Sequence, residues 1–148
     1  RRLLLAVQNL DFCDFGDTAR ADKATEFASP PVKPSDQLHY KFLFSVEGND
    51  VASNLKWALG TNSVVMMTKP KFETWFCESH LIPNQHYILI KDDFSDLEAQ
   101  YDYYVSRPQE CQEIINEAHR YVEPYRDINR QYELGGVIID RYAEQTCQ

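Results

Sequence analysis

Apolar and polar positions alternate between strand-like and helix-like patterns in the middle of the chain. An apolar run over Tyr40–Val46 predicts a strand, and residues 51–59 place their apolar side chains on one helical face. Short apolar runs at Ser63–Met67 and His86–Ile90 predict two further strands of the buried type. Strands separated by single helices are typical of right-handed βαβ crossovers, so the pattern predicts a parallel sheet.

The flanking segments add a fourth strand and several helices to this prediction. Residues 1–10 have helical character, "LDFCDFG" alternates like a short strand, and "KFETWFCESHL" indicates a short helix. Three amphipathic helices follow: one capped by Asp93 or Ser95, one that begins at Pro108, and one over residues 128–142. We therefore expect an α/β fold, a Rossmann-like parallel sheet flanked by helices that lacks its first strand.

Length and composition favour one partial domain. The 148 residues are 43% hydrophobic, which is enough for a folded core, and residues 17–37 with three prolines predict a long loop. The C-terminal helices occupy about residues 95–144. The first residue is Arg1, so we expect a processed chain or a piece of a longer one. No run approaches the roughly 20 apolar residues of a membrane span.

The net charge of −8 argues against broad binding to nucleic acid, which needs clustered basic side chains. It does not exclude a single bound nucleotide, because one local site can oppose the global field.

The cysteines and acidic clusters do not form a recognisable metal motif. The four cysteines include no C-x-x-C pair, which favours reduced thiols, although spacing alone leaves disulfides open. A zinc set built from Cys77, His80 and His86 would lack a fourth ligand and standard spacing. The acidic run "KDDFSD" is better explained as a capped helix start than as a metal site.

The polar turn Glu47–Asp50 joins the first clear strand to the predicted helix. In a parallel α/β sheet the ligand crevice lies beyond the carboxyl ends of the strands, where this turn falls. The groups that could contact a phosphate there are the backbone amides of Asp50, Val51 and Ala52, the hydroxyl of Ser53 and the ammonium of Lys56. Gly48 has no side chain and would let the backbone come close to the phosphate. An ordinary strand–helix joint with Asp50 as the N-cap is the alternative, and the pattern alone favours it.

A set of ordered motifs gives the sequence a more specific resemblance. "KFLFSVEGNDVASNLKWALGTNSVVMM" is followed by "FETWF", "LIPNQHY" and "KDDFSDLE", with "CDFGDT" upstream. Together they resemble the C-terminal half of glycosyltransferase family 90, the CAP10-like family, and most closely its bacterial lipopolysaccharide branch. The resemblance covers nearly the whole chain.

The resemblance implies the C-terminal domain of a GT-B enzyme that binds a UDP-sugar and inverts the anomeric centre without a required metal or other cofactor. Residues Gly48, Asn49, Asp50, Val51, Ala52, Ser53 and Asn54 would form the donor loop, with Lys56 close by. Arg2, or nearly equally Arg1, would contact the diphosphate. Some relatives carry an arginine where Asn54 falls, which leaves open which cation neutralises the leaving group.

Glu73 is the remaining candidate of this implied site. It would accept hydrogen bonds from the ribose or the sugar, or it is a first-turn glutamate that favours the helix dipole. No catalytic base is assigned in this chain, because in the family that base lies in the N-terminal domain. The chain alone would then bind donor without transferring it.

The partners implied are a UDP-sugar carrying glucose or galactose, a lipopolysaccharide or other glycan acceptor, and the N-terminal acceptor domain. A bacterial origin implies a cytoplasmic enzyme, peripheral at the inner membrane, and a eukaryotic origin the ER or Golgi lumen. The alternative is a non-catalytic α/β binding or interaction module that kept the fold and lost the activity.

Overall fold

Helices and strands follow one another along the chain in an α/β order. The computed structural model describes residues 2–16 and 27–146, apart from the side chains of Arg2 and Leu4. Its elements are α1 (Arg2–Val7), α2 (Pro34–Gln37), β1 (Phe42–Phe44), α3 (Leu55–Ala58), β2 (Val64–Met67), a 3₁₀ turn (Glu78–His80), β3 (Ile88–Leu89), α4 (Leu97–Val105), α5 (Pro108–Arg126) and α6 (Ile128–Thr146).

The three strands form one parallel sheet in the order β1-β2-β3. Leu43 of β1 lies opposite Val65 of β2, and Met66 lies opposite Ile88 of β3. The prediction of an α/β fold with a parallel sheet flanked by helices is confirmed. Parallel strands all end at the same edge, so the segments after β1, β2 and β3 leave the sheet side by side.

Both faces of the sheet are covered, and β2 is buried along its whole length. Val65 and Met67 contribute to the core on the side of α3, whereas Val64 and Met66 contribute to the core on the other side, together with Val7 of α1. A strand buried on both faces needs apolar residues at every position. The run "VVMM" meets this requirement.

Helix α5 contributes to both cores and runs along the amino-end edge of the sheet. Its first half places Ile114 in one core, and its second half places Val122 in the other. His119 Nε2 lies 2.8 Å from the carbonyl oxygen of Thr61, and the Arg126 guanidinium donates to the carbonyl of Gly60 at 3.0 Å, both just before β2. The same helix also contacts the segment after β2, where the Tyr121 hydroxyl lies 2.6 Å from the Phe76 carbonyl oxygen and 2.7 Å from that of Cys77.

The predicted strand over "LDFCDFG" is wrong. Residues 8–16 form turns and irregular backbone instead. Phe12 stacks on Tyr101 of α4 with ring centroids 3.8 Å apart, and Phe15 packs at the margin of a core. The apolar side chains are therefore used for packing against a helix, without a partner strand. In the predicted loop 17–37, residues 17–26 lie outside the described residues, and the rest includes the short helix α2.

Two predicted helices are shorter than expected. The helix predicted over residues 51–59 begins only at Leu55. The one predicted in "KFETWFCESHL" is reduced to the 3₁₀ turn Glu78–His80. In the first segment the Asn54 side chain bonds to the Phe44 carbonyl, and in the second Glu78 accepts bonds from Thr74. Such side-chain bonds to the backbone compete with helix formation.

Helix α6 has no buried residue, although its sequence is amphipathic as predicted. Side chains such as Ile138 and Tyr142 are more than half exposed. None of the helices in the described part of the chain combines the length and apolar content that a membrane span requires.

The contrast between β3 and α6 gives a test of where the stability resides. Ile88 is 0% exposed and Ile138 is 60% exposed. We expect Ile88→Ala to lower the free energy of unfolding by about 2–5 kcal/mol, because it leaves a cavity in the sheet. The matched change Ile138→Ala should alter it by less than about 0.5 kcal/mol. Urea denaturation of both variants measures the difference, and equal losses would contradict this description of the core.

Candidate functional site

A cleft of about 310 Å³ opens at the carboxyl-end edge of the sheet. The residues that follow the three strands form most of its wall, and Leu3 of α1 completes it. These wall residues are Val46, Glu47 and Gly48 after β1, Thr68, Lys71 and Phe72 after β2, and Asp92 and Phe94 after β3. A crevice at this edge is the usual ligand position in open α/β sheets.

Glu47 holds two walls of this cleft together. Its carboxylate accepts hydrogen bonds from the backbone amide of Lys71, at 3.1 Å to each oxygen, and from the amide of Phe72 at 3.2 Å. The turn after β1 is therefore fixed to the segment after β2. The sequence pattern predicts no role for Glu47 beyond its place in the turn.

Gly48, Asn49 and Asp50 form the exposed part of the turn, and Gly48 lines the cleft. A Cβ atom added to Gly48 would meet no atom within 4 Å. The turn thus lies on the surface, on the same edge as a cleft. A ligand could approach its backbone without moving other residues.

The backbone of the turn differs from the expected helix N-terminus. Helix α3 begins at Leu55, so the amides of Asp50, Val51 and Ala52 do not form a helical first turn, and that prediction is wrong. The Val51 amide donates to Asp50 Oδ1 at 2.8 Å, and Ala52 is buried in the core. Asp50 is not the N-cap of α3 either, because Asn54 precedes that helix.

Asn54 explains why the helix begins late. Its side-chain amide donates to the Phe44 carbonyl at 2.7 Å, and its oxygen accepts from the Ser45 hydroxyl at 3.1 Å. These bonds tie the segment to the end of β1 and hold it outside a helix. Ser53, next to Asn54, is exposed.

Lys56 does not line the cleft. Its ammonium lies 3.2 Å from Glu78 Oε1 and about 5.6 Å from the ring centre of Trp75. Glu78 is 1% exposed and also accepts from the Thr74 amide at 2.6 Å and the Thr74 hydroxyl at 2.7 Å. Burial raises the pKa of Glu78, but the bonds from Thr74 and Lys56 outweigh it and hold the pKa below its usual value.

The other predicted ligand contacts are separate from the cleft or are not described. Glu73 is exposed and accepts a hydrogen bond from the Ser79 hydroxyl. Arg2 belongs to α1, whose Leu3 reaches the cleft, but its side chain lies outside the described part of the structure, as does Arg1 entirely. The ligand roles of all these residues stay predictions.

Lys71, Asp92 and Phe94 are wall residues that the sequence pattern does not indicate as contacts for a nucleotide. Lys71 Nζ and Asp92 Oδ2 form an ion pair at 2.7 Å. Phe94 adopts the left-handed conformation with φ 61°, which is strained for a bulky residue. The signal that could have found them is position, because each follows a predicted strand at the carboxyl-end edge.

The predicted cap of α4 by Asp93 or Ser95 is wrong, because both residues lie before the position that precedes the helix. Asp93 Oδ1 accepts from the Ser95 amide at 3.1 Å, whereas the residue directly before the helix is Asp96, whose carboxylate accepts from the Lys91 amide. Within residues 2–16 and 27–146, no three His, Cys, Asp or Glu side chains are placed to hold a metal ion.

A second cavity of about 360 Å³ lies near α5 and the turn before β3. Its wall includes the glutamates Glu110, Glu113 and Glu117. This wall is acidic, which disfavours an anionic ligand. The carboxyl-end cleft is therefore the better candidate for a nucleotide.

Comparison with known proteins gives one family and several relatives. The family model described as "Glycosyl transferase family 90" matches residues 8–146. The O-glucosyltransferase LpsA of Dichelobacter nodosus is 35% identical over 113 residues, which cover 76% of this chain and 36% of that protein. Protein 179R of invertebrate iridescent virus 6 is 28% identical over 64% of the chain and 8% of that protein. The chain thus spans about a third of the length of LpsA.

The buried carboxylate of Glu78 gives a pH-dependent prediction. Glu78→Gln removes the charge that Lys56 and Thr74 satisfy, so we expect a loss of about 1–3 kcal/mol of unfolding free energy at pH 7. Because folding lowers the pKa, the ionised carboxylate stabilises the protein above its usual pKa of 4.5, and this contribution is lost as the pH falls through the lowered value.

Denaturation of the wild type and the variant between pH 3 and 7 measures this effect. The difference between them should shrink toward the acid end. Glu133→Gln, at an exposed position of α6, is the matched control and should change little at any pH. A difference that is constant across the range would contradict the assignment to the carboxylate charge.

Proposed function

The chain belongs to glycosyl transferase family 90, and from this we propose that it is the donor-binding part of an inverting glycosyltransferase. The donor is a UDP-sugar carrying a hexose, glucose or galactose, and the acceptor is a glycan such as a lipopolysaccharide core. The relative from Dichelobacter nodosus is an O-glucosyltransferase, which supports a hexose as the transferred sugar.

The observation that carries this proposal is the position of Gly48. It is exposed, it lines the cleft at the carboxyl-end edge, and the space around its missing side chain is empty. A diphosphate can come close to backbone amides only where no side chain intervenes. The turn Gly48–Asp50 therefore suits the donor pyrophosphate better than a helix N-terminus does, because α3 begins only at Leu55.

Sugar transfer places growing negative charge on the leaving diphosphate as the glycosidic bond breaks. Hydrogen-bond donors and cations held next to the departing diphosphate oxygen stabilise the transition state more than the ground state. We assign this task to Arg2 and to the amides of Asn49 and Asp50, because the Gly48 amide already donates to the Asp50 carbonyl at 3.2 Å. Glu73 would accept hydrogen bonds from ribose or sugar hydroxyls. The base that deprotonates the acceptor hydroxyl would belong to another domain of the intact enzyme.

Lys56 takes a different role in this proposal from the one its sequence position indicates. Its ammonium is held by Glu78 near the Trp75 ring, so it stabilises the segment that continues from the cleft wall at Lys71 and Phe72. A non-catalytic binding module would also be expected to have Lys56 away from the cleft. The two functions differ in whether the cleft still binds a nucleotide sugar.

Titration of the 148-residue chain with UDP-glucose by isothermal calorimetry tests the proposal. We expect binding in the wild type and at least about tenfold weaker binding in Gly48→Val, because the added methyl groups occupy the approach to the turn. The thermal midpoint of Gly48→Val should stay near that of the wild type, since nothing lies within 4 Å of the new Cβ.

Gly136→Ala is the matched control, because a Cβ at that glycine of α6 also meets no atom within 4 Å. It should leave UDP-glucose binding unchanged. No heat from the wild type at millimolar ligand would favour the non-catalytic module. Equal affinities of the wild type and Gly48→Val would show that the turn is not the donor site.

A further inference from the structure

Lys71 is the cation that faces the cleft. Among the described wall residues it is the one lysine or arginine, and its side chain is 59% exposed. Its ammonium lies 2.7 Å from Asp92 Oδ2, and Asp92 is 61% exposed on the wall that follows β3. The pair therefore spans two strand ends at the surface of the same cleft.

The backbone of Lys71 is fixed more firmly than its side chain. Its amide donates to both carboxylate oxygens of Glu47, and the amide of Phe72 donates to the same carboxylate. The side chain extends from this anchored point into solvent. A lysine ammonium is a compact charge on a flexible stem, so it can change partners without moving the backbone.

An exposed lysine–carboxylate pair is a weak interaction. Such pairs contribute from about zero to 1 kcal/mol, because water screens both charges. A phosphate group offers more oxygen acceptors and more negative charge than one carboxylate. An anion that enters the cleft can therefore displace Asp92 from Lys71.

We propose that Lys71 binds the diphosphate of a nucleoside diphosphate ligand, and that Asp92 holds the ammonium when the cleft is empty. This inference rests on the proposed function and names the cation that the donor site uses in place of Lys56. Asp92 has two effects in this arrangement: it positions Lys71 over the cleft, and it competes with the phosphate oxygens for the ammonium.

The proposal predicts effects of opposite sign for the two partners. Lys71→Gln should weaken UDP binding by about tenfold, because a charge-assisted hydrogen bond to the diphosphate is lost. Asp92→Asn should strengthen it by roughly two- to fivefold, because the competing charge is removed while the amide can still position the ammonium. If Lys71 and Asp92 only stabilised the fold of the cleft, both substitutions would weaken UDP binding.

Each variant has a matched control in the chain. Lys69→Gln removes an exposed positive charge two residues from Lys71, at a position outside the cleft wall. Asp140→Asn removes an exposed negative charge on α6. Both controls should leave the affinity within about a factor of two of the wild type, and thermal midpoints confirm that all four variants are folded.

Three ligands separate the phosphate contact from contacts to the nucleoside. Calorimetric titrations use UDP, inorganic pyrophosphate and uridine. The Lys71→Gln effect should be present for UDP and pyrophosphate and absent for uridine. A loss that extends to uridine would show that Lys71 contacts the nucleoside, and this overturns the assignment.

The outcomes distinguish this inference from the proposed function. UDP binding that Lys71→Gln leaves unchanged, or that Lys69→Gln weakens equally, overturns the role of Lys71 and leaves the donor site standing. Weaker UDP binding in Asp92→Asn would contradict the proposal that Asp92 competes with the diphosphate for Lys71. A wild-type chain that binds none of the three ligands contradicts both the inference and the function on which it rests.

Discussion

Parallel pairing of three short strands is the constraint on which the candidate site depends. Because β1, β2 and β3 run in the same direction, the segments that leave them meet at one edge of the sheet. The pairing is stabilised by a central strand that is buried on both faces. At the opposite edge, α5 satisfies carbonyl groups before β2 through His119 and Arg126. One edge of the sheet is therefore contacted by α5, and the carboxyl-end edge carries a cleft that a ligand can enter.

Two carboxylates fix the long segment after β2, whose first residues form one wall of the cleft. Glu47 binds the amides of Lys71 and Phe72, and the buried Glu78 binds Thr74 and Lys56. The residues between β2 and β3 contain little regular structure, so these bonds take the place of a helix. The bond to Glu78 keeps Lys56 away from the cleft wall, whereas Lys71 forms part of that wall and pairs with Asp92.

The sequence predicts the sheet and the long helices well, because their patterns are local. Strong apolar runs at β1, β2 and β3 and the stripe of α5 need no information from distant residues. The strand expected at "LDFCDFG" and the helix expected from Val51 failed for a different reason. Phe12 stacks on an aromatic side chain of α4, and the Asn54 amide donates to the Phe44 carbonyl at the end of β1; neither contact has a local signal. Gly48 could be placed at the correct edge, whereas the ion pairs of Lys56 and Lys71 required the folded chain.

The central claim is that the carboxyl-end cleft binds a nucleoside diphosphate sugar. The most direct measurement is a map of backbone amide chemical shifts during titration of the isotope-labelled chain with UDP-glucose. The account predicts that the largest changes follow the three strand ends, at Gly48–Asp50, at Lys71 and Phe72, and at Asp92. Changes confined to the acidic cavity around Glu113, or no changes at millimolar ligand, would contradict it.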